Sequence, residues 1–169
     1  MMLKVWPCYF DAAFKAILSV LALGAAMPAL AATSTASFQV TATVAATCVI
    51  SATNLAFGTY SGVQSDSTST LSATCTNTTP YTVGLSVGAA TGATTTARSM
   101  TGPGAALLGY AMYRDSARTL NWGATAGTDT VGGTGSGAAQ TLTVYGRVAG
   151  SQYVAPGAYT DTITATITF

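Results

Sequence analysis

Apolar and polar residues alternate along this chain with a period of two in most of its strongly patterned segments. Phe38, Val40, Ala42 and Val44 alternate with Ser37, Gln39, Thr41 and Thr43, which gives an extended segment one apolar and one polar face. Leu71, Ala73 and Cys75 continue the pattern after a Ser/Thr/Asp-rich turn at Ser61–Ser69. Tyr81, Val83, Leu85 and Val87 alternate with Thr82, Gly84, Ser86 and Gly88, and Leu142, Val144 and Val148 lie opposite Thr141, Thr143 and Arg147. In the last segment Tyr159, Ile163, Ala165, Ile167 and Phe169 share one face, and Thr160, Thr162, Thr164, Thr166 and Thr168 share the other. Leu107–Arg114 is apolar at both parities, the pattern of a strand covered on both sides.

Helix signals are nearly absent. Gly/Ser/Thr/Ala stretches at Gly88–Ala97 and Ala124–Ala139, and the turn Ala155–Pro156–Gly157, read as loops. Short strands at this spacing predict an all-β chain folded as a β-sandwich, with no repeat and no second domain. Sandwich edges are usually guarded by Lys, Pro or inward charges. Here Lys is absent beyond Lys15, and the first and last strands carry no Pro. Two arrangements fit: the terminal strands pair within a closed monomer, or they join strands of neighbouring copies. Periodicity shows strands but not their partners.

The N-terminus has a different pattern. Lys4, Asp11 and Lys15 precede the largely apolar, uncharged run Ala16–Ala26, and Ala29 and Ala31 follow with the spacing of a signal-peptidase site. This predicts a secretory signal peptide over 1–31, with cleavage before Ala32. The apolar run is short for a membrane span, which needs about 20 residues; an uncleaved anchor is the alternative.

Composition narrows the chemistry. The chain has no His. Beyond the leader its only charges are Asp66, Asp115, Asp129 and Asp161 against Arg98, Arg114, Arg118 and Arg147. No basic face draws nucleic acid, and no acidic cluster suits calcium. Without His or Glu, acid–base and Ser–His chemistry lack their usual groups, so no enzyme, cofactor or small-molecule substrate is expected. Cys48 and Cys75 remain after the leader takes Cys8, an even count in an exported chain, and a disulfide between them is expected. Zinc would find two thiols and no imidazole. Asp115 and Arg118 are close enough in sequence for a surface ion pair. Tyr110, Tyr113 and Trp122 are candidates for a sugar-binding platform, although core or interface packing is the commoner use of such residues.

Several segments together resemble a known family. Cys48 follows an alternating strand. Then come Leu55–Gly58 (LAFG), Cys75–Tyr81 (CTNTTPY), Ala117–Trp122 (ARTLNW), Leu142–Val148 (LTVYGRV) and Pro156–Phe169 (PGAYTDTITATITF), in that order. The pattern is similar to the spore coat protein U domain, which includes the major subunits of archaic (Csu-type) chaperone–usher pili. The resemblance implies an immunoglobulin-like β-sandwich that is incomplete, lacks its final strand and is completed by a donor strand. It implies a periplasmic chaperone that first fills the resulting groove. The N-terminal extension of another copy, or of a related pilin subunit, then replaces the chaperone at an outer-membrane usher.

Carried onto this chain, the resemblance makes 32–44 a donor segment whose plugs are drawn from Phe38, Val40, Ala42 and Val44. It makes 45–169 the sandwich domain. Tyr159, Ile163, Ala165, Ile167 and Phe169 then form one wall of the acceptor groove and the chaperone contact, and Cys48–Cys75 ties the first strand to the second. The implied function is a structural subunit of a surface fibre, exported through the periplasm and supporting adhesion and biofilm formation. Two alternatives are a spore or cell-surface coat protein and a glycan- or surface-binding adhesin.

Overall fold

The computed structural model describes Ala31–Phe169; the expected signal peptide lies almost wholly outside those residues. The chain divides into two units at Thr41/Ala42. Ala31–Thr41, the described part of the first unit, contains neither helix nor strand. The second unit holds eight strands: β1 (Cys48–Ala52), β2 (Ser65–Cys75), β3 (Pro80–Leu85), β4 (Arg98–Thr101), β5 (Leu107–Tyr113), β6 (Val131–Thr134), β7 (Ala139–Val148) and β8 (Ala165–Thr168). One turn of 3-10 helix at Pro103–Ala105 joins β4 to β5. No helix among the described residues is long and apolar enough to cross a membrane.

The strands form two sheets, ordered β1-β2-β7-β5-β4 and β6-β3-β8, with antiparallel pairing throughout. Period-two patterning decides which faces meet. Leu71, Ala73 and Cys75 of β2, Val144 and Val148 of β7, and Leu108, Tyr110 and Met112 of β5 point inward from the larger sheet. Tyr81, Val83 and Leu85 of β3 point inward from the smaller one, and together they make the core. Trp122 is 1% exposed and donates Nε1–H to the Val83 carbonyl at 2.9 Å. This is an immunoglobulin-like sandwich. Cys48 and Cys75 are register partners in β1 and β2 and form the disulfide.

Several expectations need correction. Within the single chain the alternating segment 37–44 has no ladder partner among the described residues, so it does not pair as a strand of this monomer. Ser61–Ser69 is not wholly a turn: β2 begins at Ser65, and its polar even-numbered residues face outward. Ala124–Ala139 is not one loop, since it contains β6. β5 is apolar at both parities, yet only Leu108, Tyr110 and Met112 are buried; Leu107 is exposed, and Gly109, Ala111 and Tyr113 are half-buried. The last strand is laddered only over Ala165–Thr168.

Asp115 does not pair with Arg118. Its carboxylate accepts from the backbone N–H groups of Thr119 and Leu120 and closes a turn, while Arg118 lies over the Tyr145 ring with Nη1 3.5 Å from Asp66. The aromatic platform is not built either, because Trp122 and Tyr110 are buried in the core.

Candidate functional site

The sandwich is open along one side. A cleft of about 1200 Å³ reaches the core between two walls, Ala52–Gly62 and Gln152–Ala165. Its floor is apolar: Leu71, Leu85, Leu108, Tyr110, Met112, Val144 and Val148. These floor side chains are already buried, and the half-buried Leu55, Phe57, Tyr159 and Ile163 of the walls carry the apolar surface that a further strand would cover.

The first wall follows β1 and is held mainly through its backbone. Thr53 N–H donates to Thr70 O at 2.9 Å, Ser67 Oγ to Ala56 O at 2.6 Å, and Ser65 Oγ to Phe57 O at 3.1 Å. Leu55 and Phe57 therefore turn in over β7. Gly146 is the residue that admits them, since a Cβ there would lie 2.7 Å from Leu55 Cδ2 and 2.8 Å from Phe57 Cζ. Phe57 meets Tyr110 edge-on, with ring centroids 6.1 Å apart. Tyr60 fixes the end of this wall, donating its hydroxyl to Ala149 O at 2.7 Å and accepting from Gln152 N–H at 3.1 Å.

The second wall crosses from one sheet to the other. Gln152 acts as a stand-in for a strand beyond the end of β7: its Oε1 accepts from Gly109 N–H at 2.7 Å and its Nε2 donates to Gly109 O at 2.9 Å. Thr160 exchanges two backbone bonds with Thr101 at the free edge of β4. Asp161 pins the crossing point, because Tyr110 donates its hydroxyl to Oδ2 at 2.6 Å and Ala89 its N–H to Oδ1 at 2.7 Å. Thr164 then bonds to Ser86, and among the described residues β8 pairs with β3 alone, so its other side is a sheet edge there.

A fully buried cation braces the region behind Asp161. Arg98 is 1% exposed and donates to the carbonyls of Ser86 (2.9 Å), Leu85 (3.2 Å), Trp122 (2.8 Å) and Thr95. Burial lowers its pKa, and that of the Tyr110 phenol is raised by burial and by the bond to Asp161. At the surface, a bidentate bond from Arg147 holds the Asp66 carboxyl below its ordinary value, with the charge of Arg118 adding to the effect.

Of the five residues expected on the groove wall, Tyr159, Ile163 and Ala165 line the cleft. Ile167 is half-buried against the core without lining it, and Phe169, past the end of β8, is 56% exposed. In the expected donor segment Phe38, Val40 and Val44 are exposed at 87, 85 and 85%, and Ala42 is exposed too. Sequence reasoning gave no role to Leu55, Phe57, Tyr60, Gln152 or Arg98. Leu55 and Phe57 carried a signal, being two apolar residues at strand spacing just before a glycine. Arg98 carried a fainter one, as one of few charges in a chain almost without them. Among the described residues no group of His, Cys, Asp and Glu is arranged to hold a metal.

The model of the Spore Coat Protein U domain matches residues 34–166. The chain belongs to this family. No curated protein sequence is significantly similar to it. Among solved structures it is similar to a chain of the crystallised CsuC–CsuE chaperone–tip adhesion subunit pre-assembly complex from the archaic chaperone–usher Csu pili of Acinetobacter baumannii. The two share 23% identity with a TM-score of 0.57, over 75% of this chain and 41% of that one. This spore coat protein U domain chain thus spans about two fifths of its structural relative, and the likeness is one of fold.

Proposed function

We propose that this chain is a subunit of a surface fibre of the chaperone–usher kind, which polymerises when the segment 32–44 of one copy fills the cleft of the next. The carrying observation is the cleft itself: an apolar cleft along one side of the sandwich, with β8 presenting an edge unpaired among the described residues beside it. Such an edge offers backbone bonds, and the pockets beneath take alternate side chains of an added strand. Phe38–Val44, at about 3.3 Å per residue, reaches roughly 20 Å and places its four apolar side chains on one face. Tyr159, Ile163 and Ala165 form the wall beside the incoming strand, while Ile167 and Phe169 extend the same face beyond it. A periplasmic chaperone occupies the cleft before assembly, an outer-membrane usher exchanges it for the donor, and the fibre stands on the cell surface and supports adhesion and biofilm growth. The domain limits are 1–31 for the leader, 32–44 for the donor and 45–169 for the acceptor body.

Deleting residues 32–44 tests this reading. The shortened subunit is expected to co-purify with its chaperone in one-to-one ratio and to give no fibres by electron microscopy. Normal fibres from it exclude the mechanism. Failure to bind a chaperone, with ordered self-assembly retained, favours a coat protein.

A further inference from the structure

We infer that the Cys48–Cys75 disulfide is a force-bearing clamp, which carries tension from the N-terminal segment directly into β2 and spares β1. This rests on the fibre reading, since a subunit held through its N-terminal segment is the one that meets such a load.

Cys48 is the first residue of β1, so everything N-terminal to it, the segment 32–44 included, pulls on the body at that point. β1 is a poor anchor. It has five residues, lies at the edge of its sheet and pairs with β2 alone. β2 is a strong one. It has eleven residues, lies between β1 and β7, and keeps ten residues in register with β7. Cys75 closes the inner end of β2 and is 1% exposed in the core.

The position of the bond decides its mechanical role. Cys48 and Cys75 are register partners, so the covalent link sits where the N-terminal segment leaves the body, and no part of β1 lies between load and link. On the load side stands a single clasp: Thr76 N–H donates to Thr47 O at 2.9 Å, and Thr47 N–H to Thr76 Oγ1 at 3.1 Å. Without the disulfide, tension at Cys48 opens the β1–β2 pairs one after another from their end. With it, tension passes to Cys75, where β2, held in register by β7, and β3, joined through residues 76–79, share it and β1 is bypassed.

Single-molecule pulling on the full-length chain, tethered by its two termini, tests the clamp. The oxidised chain is expected to release no length from Cys48–Gln64 before the core ruptures; any early release at the C-terminal edge strand β8 is the same with and without the disulfide. After reduction of the folded protein an earlier, weaker step is expected, in which β1 peels and frees the chain from Cys48 to Gln64. Extended, that segment is about 60 Å long at 3.3–3.6 Å per residue, but it already spans the eleven residues of β2, about 33 Å, so the step adds about 25–30 Å. The double variant Cys48→Ala/Cys75→Ala, checked for native circular dichroism, is expected to reproduce the early step without reductant. A reduced chain that ruptures in one event, at the same or a lower force but with no early step, overturns the inference and leaves the disulfide an ordinary stabiliser. Because a single chain is read, this result is separate from any failure of fibre assembly.

Discussion

Tyr110 shows what one side chain contributes to the open cleft. It lines the floor, packs on Phe57 and ties Asp161 in place through its hydroxyl. Its burial, and the carboxylate it faces, raise its pKa above the ordinary 10.0. The sign of the pH effect follows from linkage. The folded chain keeps this phenol protonated, while the unfolded chain ionises it near pH 10. The stability involved is therefore fully present below that pH and is lost progressively as pH rises beyond it toward the raised value of the folded chain. Tyr110→Phe is expected to flatten the fall of unfolding free energy above about pH 10, measured by urea denaturation, with a modest loss at neutral pH from the missing bond to Asp161. Unchanged alkaline behaviour would show that the ring is more accessible than its packing indicates. Little of this was legible beforehand. Tyr110 sits in an apolar run, and its partner Asp161 is 51 residues away. Alternation places a residue on a face, but it does not name the polar group waiting there.

At the scale of elements, legibility followed the side chains. β3 and parts of β2 and β7 bury residues their periodicity selected, such as Leu71, Val83, Leu85, Val144 and Val148, whereas β5, apolar at both parities, buries only Leu108, Tyr110 and Met112. β6 (VGGT) went unread since two glycines carry no face to alternate. Its glycines serve close approach. A Cβ on Gly133 would lie 2.5 Å from the Tyr81 hydroxyl, and one on Gly135, just past the strand, 2.2 Å from Thr76 O and 2.7 Å from Cys75 Cβ. The first obstacle is the far end of a side chain that can move. The second is backbone at the turn after the disulfide, and it cannot. Gly135→Ala is therefore expected to cost about 2–3 kcal/mol in chemical denaturation, as overpacking does. Gly132→Ala, whose nearest neighbour would be Tyr81 O at an ordinary 3.5 Å, is expected to stay within about 0.5 kcal/mol. Equal effects would mean that β6 does not sit against that turn. The last strand erred in the other direction. Its alternation runs over eleven residues, but Thr160 bonds to β4 and Asp161 to Tyr110 before β8 reaches β3, so one pattern serves two sheets.

For the whole molecule the alternation of 37–44 and the cleft are two halves of one pattern. A segment with an apolar face and no strand partner occurs in the same chain as a sandwich with an apolar floor and an unpaired edge. The sequence carried the first half plainly. The second half was illegible because a cleft is a missing contact, and no residue pattern records a strand that is absent. If the segment is what the cleft accepts, supplying it within one chain has a calculable effect. A copy of Ser37–Val44 fused after Phe169 through a short Gly-rich turn would run antiparallel to β8, as a hairpin. Such a strand lays a Phe and two Val side chains on the apolar floor, each contributing about 1.5–3 kcal/mol on burial, and adds backbone bonds to β8. The fused chain is expected to unfold at markedly higher denaturant concentration than the parent, to remain monomeric in light scattering, and to refuse a donor peptide of residues 32–44. Replacing Phe38 and Val40 of the added copy by Asn keeps the backbone bonds while removing the plugs, and is expected to return stability to the parent value. A fused chain no more stable than the parent, and still open to the peptide, would mean that the cleft is built for some other strand than this one.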